Sequence, residues 1–459
     1  MAASSPAQAT PATQEGADKL RATIESRIGK DIFENDFLRI VPDGEIYDFI
    51  FDANKVPDRG EGFHAKLPLV TLHVTPGEDG TYTFVSEPLS FATTTPPAGV
   101  GTEPSSGGVE NCRAQGRFNP AVLYLSTLAA TCDRVTIHDR SKDPADLDIG
   151  KVAFDWSARP AEGGTADIGF TLDAPDLVGD FPDEGSHEPH ARNLLKVGRF
   201  HYAVAVSRVR AQAIADLYAL WMETERLKQD KPAPGVLKQK LEAVLPVWDN
   251  IRTETSFDDL SVTAPNVTAR IDHYGEKQAL SGAVKDAHYA VDFELAGVGI
   301  DVGAKANWLA PLLPSQASLH LKVADVDLAG AADAVLRSLD HDGAGLDTAL
   351  PPILLNGKAT IATDLKIKAQ AYDIQGKGEA PIDPRMQGGA TISATGFDAV
   401  MAAASRFGST DGRNMMLGLA LIKGLAKTGP DGRLVWNVAV DIPARKFTVN
   451  GQTFDLPEK

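Results

Sequence analysis

In the second half of the chain, apolar and polar positions alternate with a period of two. Tyr289, Val291, Phe293 and Leu295 alternate with Ala290, Asp292 and Glu294; Ile361, Leu365, Ile367, Ala369 and Ala371 alternate with Asp364, Lys366, Lys368 and Gln370; Leu434, Trp436, Val438, Val440 and Ile442 repeat the pattern. Side chains of a strand point to opposite faces in turn, so these segments predict antiparallel strands with one apolar and one wet face. The phase slips at Ala296-Gly297, and again between Val323 and Val326, which predicts bulges in long strands.

The first half carries the same signal more weakly. Strands are predicted over Phe37–Val41, Ile46–Phe51 and Leu67–Thr75, and a hairpin joins Val152–Trp156 to Ile168–Leu172 through Glu162-Gly163-Gly164. Helical spacing appears at Ala17, Leu20, Ile24 and Ile28, ended by Gly29. It returns over Arg208–Leu227, and over Val236–Leu245 after Pro232 and Pro234. Residues Pro96–Glu110 predict a loop, and Phe118–Ala130 a short helix or turn. The expected organisation is a tail over 1–14, a β-rich domain over 15–192, a helical hairpin over 193–250, and a second β-rich domain over 251–459. The fold class is α+β, built on long curved antiparallel sheets.

Composition narrows the partners. Asp and Glu number 62 against 45 Lys and Arg, a net charge of -17, which repels nucleic acid and anionic membranes. No run of apolar residues is long enough to span a bilayer as a helix. The small, Pro-rich start (Ala2 to Ala12) resembles the segment that follows a cleaved signal peptide; an ordinary tail is the alternative. Cys112 and Cys132 are the only cysteines. Either they bridge, which needs an oxidising compartment, or they are two buried thiols.

Candidate chemistry is thin. Asp183, Glu184, His187, Glu188 and His190 cluster, but Pro189 opposes a helical metal motif, so a polar loop is expected. Asp340-His341-Asp342-Gly343 with Asp347 lacks the closing Glu of a calcium loop. Nucleophile elbows, phosphate loops and dinucleotide fingerprints are missing. No catalytic residue, metal or cofactor is assigned, and the chain is read as a non-enzyme. Met415, Met416, Leu417, Leu419, Leu421 and Ile422 form an adaptable apolar segment, either lining a groove or packing in the core.

Two strand-then-helix units repeat: Ser318–Leu328 into Ala329–Leu339, and Gly389–Phe397 into Asp398–Phe407. The first of these, starting from Leu312-Leu313-Pro314-Ser315, together with Gly388–Val400 and the closing Phe447-Thr448-Val449-Asn450-Gly451-Gln452, resembles exported alphaproteobacterial proteins of unknown function similar to the AsmA-like and YdgA-like periplasmic families. The resemblance covers about half the chain and rests on strands and turns. It implies a periplasmic protein with a tubular lipid-binding-like sheet that handles lipid at the envelope. The ligand wall is then expected from Tyr289, Val291, Phe293, Leu365, Ile367, Trp436 and Val438, with Met415, Met416 and Leu419 beside it. The expected partner is a lipid or other hydrophobic molecule. The alternatives are an envelope assembly protein working through protein contacts, and a metal-dependent hydrolase using His187 or His190.

Overall fold

The computed structural model describes residues 11–55, 67–77, 80–94, 105–120, 124–140, 144–183, 191–226, 234–302, 309–338, 346–355, 357–382, 387–406, 410–441 and 443–455. The chain divides into two compact units, Met1–Pro160 with Asp167–Ala203, and Ala161–Ala166 with Val204–Lys459.

The first unit opens with α1 (Gln14–Ile28) and α2 (Asp31–Glu34). Thr13 caps α1 by accepting from the Gly16 N–H at 3.1 Å, and Gly29, at φ 93°, ends it where a left-handed residue is needed. The strands are β1 (Leu38–Asp43), β2 (Ile46–Phe51), β3 (Val70–Pro76), β4 (Tyr82–Ser86), β5 (Leu89–Thr94), β6 (Ser106–Asn119), β7 (Tyr124–Cys132), β8 (Arg134–Asp139), β9 (Ala145–Ile149), β10 (Val152–Pro160), β11 (Ala166–Pro182) and β12 (Arg192–Val209). Antiparallel pairings join β1 through β11, and the residues of β12 from Val204 on fall in the second unit. The β4–β5 run lies along one edge of β6, the β7–β8 run lies along the other, and the β9–β10 run follows β7–β8. Alternation puts Leu38, Tyr47, Phe49, Val74 and Phe84 on one face, where Ala17, Leu20 and Ile24 of α1 bury them.

A row of irregularities crosses this sheet. Asn111 (φ 50°) stands beside Asp133, to which its side-chain amide donates at 2.6 Å; Gly150 faces Asp176 (φ 55°). Each extra residue flips the inward parity: Phe154 and Trp156 point the same way as Leu147 and Ile149. A disulfide joins Cys112 to Cys132 next to this row, linking β6 to β7. The open question about the two cysteines thus resolves to a bridge.

The second unit contains α3 (Ala211–Arg226), α4 (Pro234–Val244), β13 (Asn250–Ala264), β14 (Val267–Ser281), β15 (Ala287–Ala296), β16 (Gly299–Asp301), β17 (Pro314–Val326), α5 (Leu328–Ser338), α6 (Leu346–Leu355), β18 (Thr360–Ala369), β19 (Asp373–Pro381), β20 (Gln387–Thr395), α7 (Phe397–Ala404), α8 (Thr410–Gly424), β21 (Lys427–Thr428), β22 (Leu434–Asp441), β23 (Lys446–Val449) and β24 (Gln452–Asp455). Its sheet runs β13-β14-β15-β17-β18-β19-β20-β22-β23-β24, each strand antiparallel to the last. Helix pairs interrupt the meander between β17 and β18 and between β20 and β22, so the repeat seen in the sequence is a strand followed by two helices. Gly297 (φ 66°) and Asp325 (φ 59°) sit where the phase slips.

The α+β reading dominated by antiparallel sheet holds. Three local readings change. Of the segment Phe118–Ala130, expected as a short helix or turn, Phe118 and Asn119 end β6 and Tyr124–Ala130 lie in β7, because cross-strand pairing overrides its helix-forming residues; residues 121–123 lie outside the described residues. Ser106–Glu110 of the expected loop belongs to β6; residues 95–104 lie outside the described residues. The two helices of the expected 193–250 hairpin are Ala211–Arg226 and Pro234–Val244; Phe200, Tyr202, Val204 and Val206 alternate, and Arg192–Val209 is strand. The pair belongs with the second unit, where α4 packs on α5.

Candidate functional site

Cross-strand register decides which side chains share a face. In the second unit, Tyr289, Val291 and Phe293 lie opposite Val323, Leu321 and Leu319, which lie opposite Ile361, Thr363 and Leu365. These continue to Ala380, Gly378 and Gly376, then to Gly388, Ala390 and Ile392, and finally to Val440, Val438 and Trp436. Every strand residue expected from the sequence to form the ligand wall therefore stands on one apolar face.

That face is not uniformly covered. Val291 is 4% exposed and Trp436 6%, so both are packed rather than open. Trp436 lies against Phe397, and its indole N–H donates to the Ile422 carbonyl at 2.7 Å, which fixes the end of α8 on the sheet. Tyr289, Phe293, Leu365, Ile367 and Val438 are half-buried.

Between the larger side chains the sheet has a floor of small ones. Gly378 and Ala380 on β19 meet Gly388 and Ala390 on β20, with Leu321 and Ile361 rising on one side and Val438 and Val440 on the other. The result is a mainly apolar trough of about 330 Å³. This is the lower end of the size of small-molecule sites. The floor residues were missed in the sequence because small residues break an apolar alternation and read as weak strand.

Met415, Met416 and Leu419 fall on α8 and are not among the residues that line the trough. Met416 and Leu419 are half-buried, while Leu417 (66% exposed) and Leu421 (71%) form an outward ridge; Met415 and Ile422 are exposed on another side of the helix.

The opposite face is polar. A hollow of about 540 Å³ is bordered there by His320, Asp364, Lys377, Thr391 and Asn437. Its polar groups already have partners: Lys377 pairs with Asp364 at 3.1 Å, Thr391 donates to Asn437 at 3.0 Å, and His320 bonds to Asp292. Cross-strand His–Asp pairs recur through Nδ1: His73–Asp48 (2.8 Å), His138–Asp146 (2.8 Å), His201–Asp173 (3.0 Å) and His273–Asp258 (2.6 Å). Side chains hydrogen-bonded to each other across strands favour one register. At Asp146, partial burial pushes the carboxyl pKa up, but hydrogen bonds from His138 and Arg140 outweigh this and hold it below its ordinary value. Burial is likewise outweighed at Asp173 by Arg199 and His201.

His187, His190, Glu184 and Glu188 lie outside the described residues, as do Asp340–Gly343. Among the described residues, no three His, Cys, Asp or Glu side chains are grouped as metal ligands, and no helix is long and apolar enough to cross a membrane. Comparison with known proteins returns no matching family model, no similar curated protein and no similar solved structure.

Proposed function

We propose that the protein binds a lipid or similar hydrophobic molecule in the second unit, without catalysis. The apolar trough floored by Gly378, Ala380, Gly388 and Ala390 carries this reading. A chain lying on that floor is held by desolvation alone, at about 0.8 kcal/mol per buried methylene. About ten methylenes give on the order of 8 kcal/mol gross, before the costs of association. No polar motif is then required, in keeping with the sequence. A periplasmic location, an AsmA-like tubular relationship and lipid handling at the envelope belong to this proposal; the disulfide supports an oxidising compartment.

The test is native mass spectrometry of the gently purified protein, paired with binding of a fluorescent acyl probe. Thr363→Phe, which fills the trough from its wall, should weaken probe binding at least tenfold, and Thr363→Val, of nearly equal volume, should not. Equal binding by wild type and Thr363→Phe would overturn the reading.

A second reading, an envelope assembly protein acting through protein contacts, is favoured by the Leu417–Leu421 ridge of α8. It requires that Leu417→Ser with Leu421→Ser abolish association while leaving probe binding intact.

A further inference from the structure

The apolar trough has a hydroxyl in its wall. Thr363 on β18 stands opposite Leu321 on β17 and Gly378 on β19, in the row that ends through Ala390 at Val438. It lines the trough itself, between Ile361 and Leu365 along its own strand. Glu379 also borders the trough, but it alternates with Gly378 and Ala380, so its side chain takes the opposite face. Among the described residues that line the trough, Thr363 is therefore the one that turns a hydrogen-bonding side chain into it. Strands are spaced about 4.8 Å apart, which puts Thr363 about 5 Å from the Leu321 wall and leaves about 14 Å of floor toward Val438.

That hydroxyl is uncommitted. Among the described residues it makes no hydrogen bond to another protein group, whereas Thr391 on the opposite face donates to Asn437. Thr363 is half-buried, and its oxygen is not one of the sealed, unpaired side-chain atoms, which are Trp248 Nε1 and Asn250 Oδ1. Gly378 keeps its flank clear: a Cβ at that position would lie 3.4 Å from Thr363 Cγ2 and 3.0 Å from the Ala390 Cβ. A plain hydrocarbon laid over the hydroxyl strips it of solvent and returns neither donor nor acceptor, which weakens binding. A ligand hydroxyl both donates and accepts, as the threonine hydroxyl does, and makes good the exchange.

We propose that Thr363 sets the specificity of the trough, and that its ligand is a hydrocarbon chain bearing a hydroxyl. This inference rests on the trough reading and names the ligand class within it. Methylenes on the glycine-alanine floor supply most of the affinity, and the hydroxyl pair selects among chains of equal length. Because Thr363 stands one strand in from the Leu321 wall, the longer apolar run of the ligand extends toward Val438 and Val440.

The test is displacement of the fluorescent acyl probe from the full chain, below aggregation limits, by palmitic acid and by its monohydroxy isomers. The isomers carry the hydroxyl beside the carboxyl, at mid-chain or at the tail end. At least one isomer should bind about fivefold tighter than palmitic acid. Thr363→Val should remove that preference by weakening the isomer and not palmitic acid, and Thr363→Ser, which keeps the hydroxyl, should retain it; circular dichroism checks the fold of each. No preferred isomer in the wild type, a preference that survives Thr363→Val, or a loss as complete in Thr363→Ser overturns the assignment to Thr363 and leaves the trough reading standing. If neither palmitic acid nor any isomer displaces the probe, or if Thr363→Phe leaves all of them unchanged, the trough reading fails, and the inference falls with it.

Discussion

Removing the Cys112–Cys132 bridge tests the energetics of the first unit. The cysteines are 20 residues apart in sequence and sit on adjacent strands, so the bridge closes a hairpin that pairing already forms. Chain-entropy reasoning for a loop of that length gives about 3 kcal/mol near room temperature, supplied by restricting the unfolded chain. The double substitution Cys112→Ser with Cys132→Ser should therefore cost about 3 kcal/mol in urea unfolding of the first unit, and the urea dependence should steepen because the unfolded chain exposes more surface. Hydrogen exchange adds location: peptides over 106–119 and 124–132 should lose protection, and those over 360–395 should keep theirs. A loss below about 1 kcal/mol would refute the argument, showing that the unfolded hairpin is restrained without the bridge. A loss of protection extending equally into 360–395 would refute the division into separate units.

Two further outcomes follow from groups already described. Trp436→Phe keeps the ring against Phe397 but deletes the N–H that holds the Ile422 carbonyl; it should cost about 1 kcal/mol and speed exchange in α8 before the rest of the second unit. Asp146 has a folded-state pKa below its ordinary value of 3.8, so its stabilising contribution is complete above that value and is lost as pH falls through the lower folded value. Asp146→Asn should destabilise by at most about 1 kcal/mol at neutral pH, since the pair is partly solvated, and the difference from wild type should vanish in acid; a gap that is constant with pH, followed by urea titration, would contradict the assignment.

The sequence was most legible where residues of one strand carried the whole signal. Tyr289, Val291 and Phe293 announce a face by themselves, as do Leu365 and Ile367, and their register confirms that they share it. Gly297 and Asp325 were legible as slips in that rhythm. The trough floor was not, because Gly378 and Gly388 matter only through what stands beside them on neighbouring strands. The sequence places 193–209 with the helical hairpin rather than in a strand, because the helical spacing from Arg208 onward obscures the alternation of Phe200, Tyr202, Val204 and Val206. The His–Asp pairs needed partners from different strands and left no local trace.

Most strands of these meanders pair with one made shortly before them. Contacts between nearest neighbours in sequence close short loops, and their entropic cost is paid in small instalments. A chain emerging from its N-terminus can add one hairpin at a time onto a template that already exists. Shortening it from the C-terminus past β22 should accordingly trim the sheet and expose an edge rather than dissolve the strands laid down earlier.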